Sequence, residues 1–317
     1  MGEIKVTVLM PAYNVEKYIR EAIDSVLNQR FDGFELLIIN DGSTDSTEEI
    51  IRGYGDPRIV LISQRNQGVS AALNTGLAHA KGKYIARFDA DDVCYPDRLQ
   101  NQYDFMEQQR GYVLVGSDAD YMDREGGYLY RYRNIGHTNE EISERIFSYC
   151  PFVHSTVFYR RDIVRSLGGY NVKAHTFEDW LLWTQLIKKG KCLNFETPLI
   201  SVRLNPESVT VDEKLRGKRF IELKKEIICS GRPITDEQEN ELVQILKSQN
   251  FGRFKRYSYC ILIAKKYLWN NFQPSKSRRH SLEAIRLRPL QPMGYLLFLS
   301  SLAPERTLLY LHKKSKS

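Results

Sequence analysis

Cysteine is scarce and unpatterned in these 317 residues: five stand at 94, 150, 192, 229 and 260, with no CxxC pair. An odd, scattered set excludes a disulfide framework or a cysteine-rich zinc site and suits a reducing cytosol. No run reaches the roughly 18 continuous apolar residues that crossing a bilayer takes. The N-terminus, Met1-Gly2-Glu3-Ile4-Lys5, goes straight into a strand-like pattern, so no secretory leader is expected. Both familiar glycine-rich phosphate loops are missing: no GxGxxG follows the first apolar run, and no GxxxxGK[ST] occurs. That weighs against a dehydrogenase or a P-loop enzyme. The C-terminal end lacks acid: residues 251–317 hold 14 Lys or Arg against only Glu283 and Glu305, in a chain of net charge +7. The rest of the chain is therefore mildly acidic, and the basic tail is expected to face something anionic.

What is present alternates. Apolar runs at 4–10, 34–39, 59–62, 84–88 and 112–116 read as strands, with helical patterns at 15–29, from 46, 68–80 and 96–109 between them. Such βαβα alternation predicts an α/β fold with a mostly parallel central sheet flanked by helices. After residue 120 the pattern loosens to strands at 128–133, 154–159 and 199–204 and helices at 139–147 and 177–188. From about residue 212 it is helical throughout. The expected organisation is a catalytic domain over 1–211 and a helical, basic region over 212–317.

The organising stretch is Phe88-Asp89-Ala90-Asp91-Asp92-Val93, three carboxylates crowded at the end of an apolar strand. That end is where an open α/β sheet places its ligand. Carboxylates so close repel unless a cation joins them, and Mg²⁺ or Mn²⁺ takes oxygen ligands. As a solvated turn the same stretch would need only Asp92 or Asp97 as a helix cap. Pyrophosphate would be neutralised by a metal at Asp89, Asp91 and Asp92. A base would lie against Tyr13, with Asp41 accepting its ring N–H. Taken singly, Tyr13 reads as a surface tyrosine and Asp41 as a turn carboxylate; together they stand at successive strand ends.

Several segments, in order, resemble the motifs of the inverting family-2 glycosyltransferases. They are Pro11-Ala12-Tyr13-Asn14, Asn40-Asp41-Gly42-Ser43-Thr44-Asp45, Asn66-Gln67-Gly68-Val69-Ser70 with Asn74, Gly82-Lys83-Tyr84, Asp89-Ala90-Asp91-Asp92 and Glu178-Asp179-Trp180. The resemblance covers roughly residues 4–210 and implies the GT-A fold. It also implies a UDP- or GDP-type sugar donor, with Mn²⁺ or Mg²⁺ on its diphosphate. Carried over, Pro11, Ala12, Tyr13, Asn14, Asp41, Asn66, Gly68, Asp89 and Ala90 bind the nucleotide. Asp89 and Asp91 serve ribose and metal with Asp92 assisting, and Asp179 is the catalytic base. His154, Glu178 and Trp180 fall on the acceptor side. In Arg203-Leu204-Asn205-Pro206-Glu207-Ser208, Asn205 stands where relatives often carry a histidine, which removes an imidazole from that loop. The QxxRW signature of processive synthases is absent, so single addition is expected.

Two other classes are weighed. A sugar-nucleotide pyrophosphorylase favours a glycine- and arginine-rich first loop, which Pro11–Asn14 is not. A non-catalytic nucleotide-sugar binding module gives no reason for a base at Asp179. The acceptor is expected to be a carbohydrate or lipid-linked molecule, as in surface polysaccharide or glycolipid assembly. In the tail Phe254, Tyr257, Tyr259, Ile261, Leu262, Tyr267, Leu268 and Trp269 interleave with lysine and arginine. This pattern predicts docking on an anionic membrane surface without crossing it, or else aromatic packing inside a helical subdomain. A cytoplasmic protein, peripheral on the membrane, is the expected localisation; no nucleic-acid reader motif accompanies the charge.

Overall fold

A computed structural model describes residues 3–206, 216–248 and 252–314 of the chain. It divides into two compact units, each discontinuous in sequence. One comprises Met1–Ala119, Tyr132–Val202 and Glu222–Val243; the other comprises Asp120–Arg131, Arg203–Ile221 and Gln244–Ser317. The expected single boundary at 211/212 divides the chain differently. Residues 120–131 go with the second unit, and residues 222–243 go with the first.

The first unit is built on a seven-stranded sheet of Val6–Ala12 (β1), Phe34–Asn40 (β2), Ile59–Ser63 (β3), Tyr84–Arg87 (β4), Tyr112–Ser117 (β6), Phe158–Arg160 (β9) and Lys191–Phe195 (β10). The strand order is β10-β6-β9-β4-β1-β2-β3. β1 pairs in parallel with β2 and β4, β2 with β3, and β10 with β6. β9 alone runs antiparallel, between β4 and β6. A two-residue strand, Val93–Cys94 (β5), pairs with Ile200–Arg203 (β11). The helices of this unit include Ile19–Leu27 (α1), Thr47–Arg52 (α2), Val69–His79 (α3), Arg98–Gln108 (α4), Asn139–Arg145 (α5), Arg161–Ser166 (α6) and Glu178–Leu186 (α7).

Local chemistry explains these elements. All seven residues of β2 are buried, as a parallel strand covered on both faces requires. α1 buries Ile19, Ala22, Ile23 and Val26, one stripe at helical spacing. It starts later than the expected residue 15; ahead of it the Val15 and Glu16 amides donate to Thr47 Oγ1 (2.9 Å) and Asp45 Oδ2 (3.1 Å). α5 opens on a reciprocal capping box between Thr138 and Glu141.

Two expectations need correcting. Residues 154–159 are not one strand: His154–Thr156 form a 3₁₀ turn, and the strand is Phe158–Arg160. Thr156 Oγ1 donates to Val153 O at 2.7 Å, a local bond that competes with a strand ladder. The short strand β10 went unforeseen, for Lys191-Cys192-Leu193-Asn194-Phe195 mixes polar and apolar residues.

The second unit holds all but the first residue of Ala119–Met122 (β7) and all but the last of Tyr128–Tyr132 (β8), neighbouring strands with Tyr121 stacked on Tyr130 at 5.0 Å. Its helices include Gly252–Trp269, Pro274–Leu287, Pro292–Ser300 and Glu305–Lys314. Ala264, Leu268, Leu297 and Leu308 form a buried cluster. Most of the tail aromatics expected at a membrane are inside this unit: Tyr257, Tyr259 and Tyr267 are buried, whereas Phe254 and Trp269 are exposed. The larger exposed apolar group lies further on. Leu290 is 95% exposed, and Met293, Tyr295, Leu296, Leu299 and Leu302 also face outward.

Candidate active site

Three loops at the carboxyl ends of β1, β2 and β3 are laced together. Asn14 takes a left-handed conformation (φ 51°), and its Oδ1 accepts from Thr44 N at 2.8 Å, while its own amide donates to Ser43 Oγ at 3.1 Å. Gly42 has φ 73°, and a Cβ there would meet Asn66 N at 2.7 Å, so only glycine lets the third loop cross this close. Asp41 is buried and serves that third loop: Oδ1 accepts from Gln64 Nε2 (2.7 Å) and Gln67 N (3.0 Å), and Oδ2 from Gly68 N (2.8 Å). Most of its acceptor capacity is thus already engaged by the protein, with room for about one more donor. Tyr13, by contrast, next to Asn14 in sequence, is 48% exposed, a ring open to a flat ligand.

At the end of β4 the acidic cluster splits in two. Asp89 and Asp91 are partly exposed, whereas Ala90 and Asp92 are buried. Asp89 is paired with the buried guanidinium of Arg87, and its amide donates to Ser155 Oγ at 3.0 Å. Asp92 acts electrostatically on Arg87 and on Arg98. Arg98 is wholly buried and donates to Arg87 O (2.7 Å), Val157 O (3.3 Å) and Gln102 Oε1 (3.1 Å). Asp89 and Asp91 are therefore the two carboxylates of the cluster that reach solvent, and hard oxygen donors of this kind fit Mn²⁺ or Mg²⁺. Asp92 is built in as internal counter-charge. Neither arginine was foreseen, because a lone arginine in a sequence reads as surface.

The start of α7 approaches the same place. Thr176 has φ 74°, a costly conformation for a β-branched residue, and the strained backbone leads straight into Glu178 and Asp179. Glu178 is buried, and burial together with the neighbouring Asp179 pushes its carboxyl up to about 7. Arg87 opposes that rise and Asp89 adds to it, so the acids of β4 and α7 share one electrostatic environment. Asp179 is partly exposed; its Oδ1 accepts from Trp180 N at 2.6 Å, and Cys150 Sγ lies 3.9 Å from its Oδ2.

A pH dependence follows. With its folded-state value raised, Glu178 binds a proton in the native chain over a window in which the unfolded chain has released it. It should therefore cost stability as pH rises from about 4.5 to about 7, by up to roughly 1.4 kcal/mol per pH unit. Glu178→Gln should flatten that part of the melting-temperature profile. An unchanged profile would mean that Glu178 is not the group responsible.

The acceptor-side candidates sit deeper than expected. His154 Nε2 lies 3.2 Å from Tyr170 Oη, and Tyr170 Oη lies 3.3 Å from Tyr159 Oη. Burial, with Arg87 nearby, holds the His154 ring well below its ordinary value, so it is neutral at pH 7. Trp180 is buried, donates to Ile146 O at 2.5 Å and lies under Lys224 at 5.3 Å. Tyr170 was missed by sequence reading. Asn74 clamps its backbone at both ends, with N and O bonds of 2.8 Å each, which ties this wall to α3. In the remaining motif, Arg203–Pro206 belong to the second unit, and Glu207 and Ser208 lie outside the described residues.

A mostly parallel sheet flanked by helices, with laced loops and paired acids at its carboxyl edge, is the architecture of a GT-A glycosyltransferase. Residues 7–168 match the model of glycosyl transferase family 2, and the chain belongs to that family. It is 36% identical over 206 residues to the protein of Bacillus subtilis (strain 168) named as the glycosyltransferase EpsE, covering 63% of this chain and 73% of that one. Other curated relatives are matched over as little as 18% of their own length. Among solved structures, S. aureus TarS 1–349 in complex with UDP-GlcNAc shares the fold. Its TM-score is 0.59 at 17% identity, over 98% of this chain and 92% of that one. The mannosyltransferase PcManGT of Pyrobaculum calidifontis, in complex with GDP-Man and Mn²⁺, has a TM-score of 0.53 at 16% identity, over 99% of this chain and 85% of that one. The chain is a glycosyltransferase.

Proposed function

We propose that this glycosyltransferase moves a sugar from a UDP- or GDP-type donor to an acceptor hydroxyl, with inversion and one addition per encounter. The observation that carries the reading is the shared environment of Asp89, at the end of β4, and Glu178-Asp179, at the start of α7, around the buried Arg87. In this reading Tyr13 stacks on the base and Asp41 uses its remaining acceptor capacity on the ring N–H. Asn14, Asn66 and Gly68 line the same loops. Asp89 and Asp91 would hold Mn²⁺ or Mg²⁺, which when bound neutralises charge on the leaving diphosphate. Asp179 takes the acceptor's proton, a role worth about 10²–10⁴ in rate. One base suffices for a single displacement with inversion. Glu178 and the His154–Tyr170 wall orient the acceptor side. TarS and PcManGT were solved with UDP-GlcNAc and with GDP-Man and Mn²⁺, which supports both donor classes as candidates here.

Incubating the protein with UDP- and GDP-sugars, with and without Mn²⁺, and following nucleoside diphosphate release tests this. Asp91→Asn should remove the Mn²⁺-dependent part of donor affinity and leave the melting temperature near wild type. Equal donor affinity in variant and wild type, with and without metal, would overturn the metal assignment.

The second unit motivates a further part of the reading: peripheral docking on an anionic membrane, with a lipid-linked acceptor in surface polysaccharide or glycolipid assembly. The insertion element is now Pro292–Ser300 with its flanks, which buries only Gly294 and Leu297 and turns Leu290, Met293, Leu296, Leu299 and Leu302 outward. Exposed Arg253, Arg256, Lys265, Lys276, Arg279, Arg286 and Arg306 occur in the same unit. Anionic lipid attracts each basic group near its surface by about 1 kcal/mol. Full-length protein should co-sediment with phosphatidylserine vesicles at low salt, and Leu296→Glu/Leu299→Glu should release it. Protein that stays in the supernatant at low salt would defeat this reading and leave the transferase reading untouched.

A further inference from the structure

We propose that Cys260, His280 and Glu283 form a second metal site, suited to a thiolate- and imidazole-binding divalent ion such as Zn²⁺ and distinct in chemistry from the acidic cluster on β4. Cys260 lies on the helix Gly252–Trp269, and His280 and Glu283, three apart and so on one face, lie on Pro274–Leu287. One donor atom from each falls within 4.8 Å of the other two. The helices are tied beside this point by Ser277 Oγ donating to Ala264 O at 2.9 Å.

A second observation points to a ligand. His280 is only 7% exposed, and its buried Nδ1 has no hydrogen-bond partner. A buried polar atom left so costs on the order of 1–3 kcal/mol, and a missing ion is one ordinary explanation. The ring is held from both sides, stacked on Tyr267 (6.0 Å, 15°) and edge-on to Tyr259 (6.5 Å, 81°).

The donor types choose the ion. Sulfur and imidazole nitrogen with one carboxylate suit Zn²⁺, whereas Mn²⁺ and Mg²⁺ prefer all-oxygen sets. Zn–S of about 2.3 Å and Zn–N of about 2.0 Å need donors roughly 3.5 Å apart, so binding would draw the triangle in by about an ångström. Glu283 is partly exposed and marks the entry path; its contact with Arg256, at 3.8 Å and largely exposed, is weak enough to yield. Glu125, Glu283 and Asp123 add negative potential at His280, and Arg279 opposes it; burial and Glu283 hold the Cys260 thiol protonated, with Arg256 and Arg124 opposing, so the ion itself has to displace the thiol proton. On binding, the thiol proton leaves to solvent and the sulfur lone pair goes to the ion; water would complete the fourth position. The site would staple two helices of the basic unit.

The test uses the full chain in a Cys229→Ser background, which removes the one exposed cysteine among the described residues as a competing thiol. Zn²⁺ is titrated against a competing chelator, and Co²⁺ serves as a spectroscopic probe. The expected result is one Zn²⁺ per chain, a raised melting temperature and a thiolate-to-cobalt charge-transfer band. Cys260→Ser should abolish the band, and Glu283→Gln and His280→Gln should each weaken Zn²⁺ at least about tenfold. Should the buried Cys260→Ser fail to fold, the partly exposed Glu283→Gln decides. No bound Zn²⁺, or affinity and spectrum unchanged in the variants, overturns the site.

Discussion

Asp179→Asn is expected to lower sugar transfer by about two to four orders of magnitude while donor binding and melting temperature stay near wild type. The carboxylate stands in the first turn of α7, where the helix dipole favours its ionised form by typically about 0.3–1 kcal/mol. Its visible bond, Oδ1 accepting from Trp180 N at 2.6 Å, is one an asparagine keeps. If that local bond were its whole role, the substitution would be almost silent, since asparagine serves at helix starts about as well as aspartate. An amide cannot accept the acceptor's proton, so a base at this position predicts the opposite. Donor affinity should hold because the metal and nucleotide candidates lie on other loops. A variant that keeps most of its transferase activity would sink the assignment, and Glu178 would be tested next.

Arg98→Met is expected to destabilise the protein by about 3–5 kcal/mol, the usual result of removing one member of a buried charge set. Arg98 is completely buried; it donates to the carbonyls of Arg87 and Val157, and its guanidinium sits 5.5 Å from the Phe88 ring. Methionine fills part of the volume but leaves both carbonyls without this donor and removes the cation that Asp92 acts on. Arg98→Met/Asp92→Asn should recover part of the loss, because the second change removes the charge that the first exposes. Denaturant unfolding of the three variants measures this. A single-variant loss under about 1 kcal/mol, or no recovery in the double, would mean that the pair is not energetically linked.

The alternation of the first 116 residues was legible because each buried parallel strand is a short, nearly unbroken apolar run between turn residues. The acidic end of β4 and the Glu178-Asp179 pair stood out for the same reason: charge directly beside apolar sequence. What stayed hidden follows from physics that sequence does not print. Lys191–Phe195 gains its strand character from pairing with β6, not from its composition. Arg87 and Arg98 are buried because Asp89 and Asp92 fold back on them and carbonyls as distant as that of Val157 accept from Arg98, which only the folded loop brings together. The tail aromatics have the amphipathic mixture of a membrane surface, yet Tyr257, Tyr259 and Tyr267 pack inward, while the plainer run at Pro292–Ser300 carries the exposed leucines. Composition ranks residues by appetite for burial; topology decides which of them are satisfied.

The single antiparallel strand has a consequence for synthesis. β4 meets β6 only through β9, whose three residues pair with Tyr84–Ala86 on one side and with Leu114 and Val115 on the other. On the ribosome, β1 to β4 can assemble early, since their partners are close in sequence. Until Phe158–Arg160 emerges, the strand leading into Asp89 presents an open hydrogen-bonding edge, and β6 has nothing to join it to the nascent sheet. Nascent chains stalled before that point should be captured by chaperones or aggregate, and those stalled beyond it should resist proteolysis. Closure of the sheet on β4 is thus a late, long-range event, set by a segment three residues long.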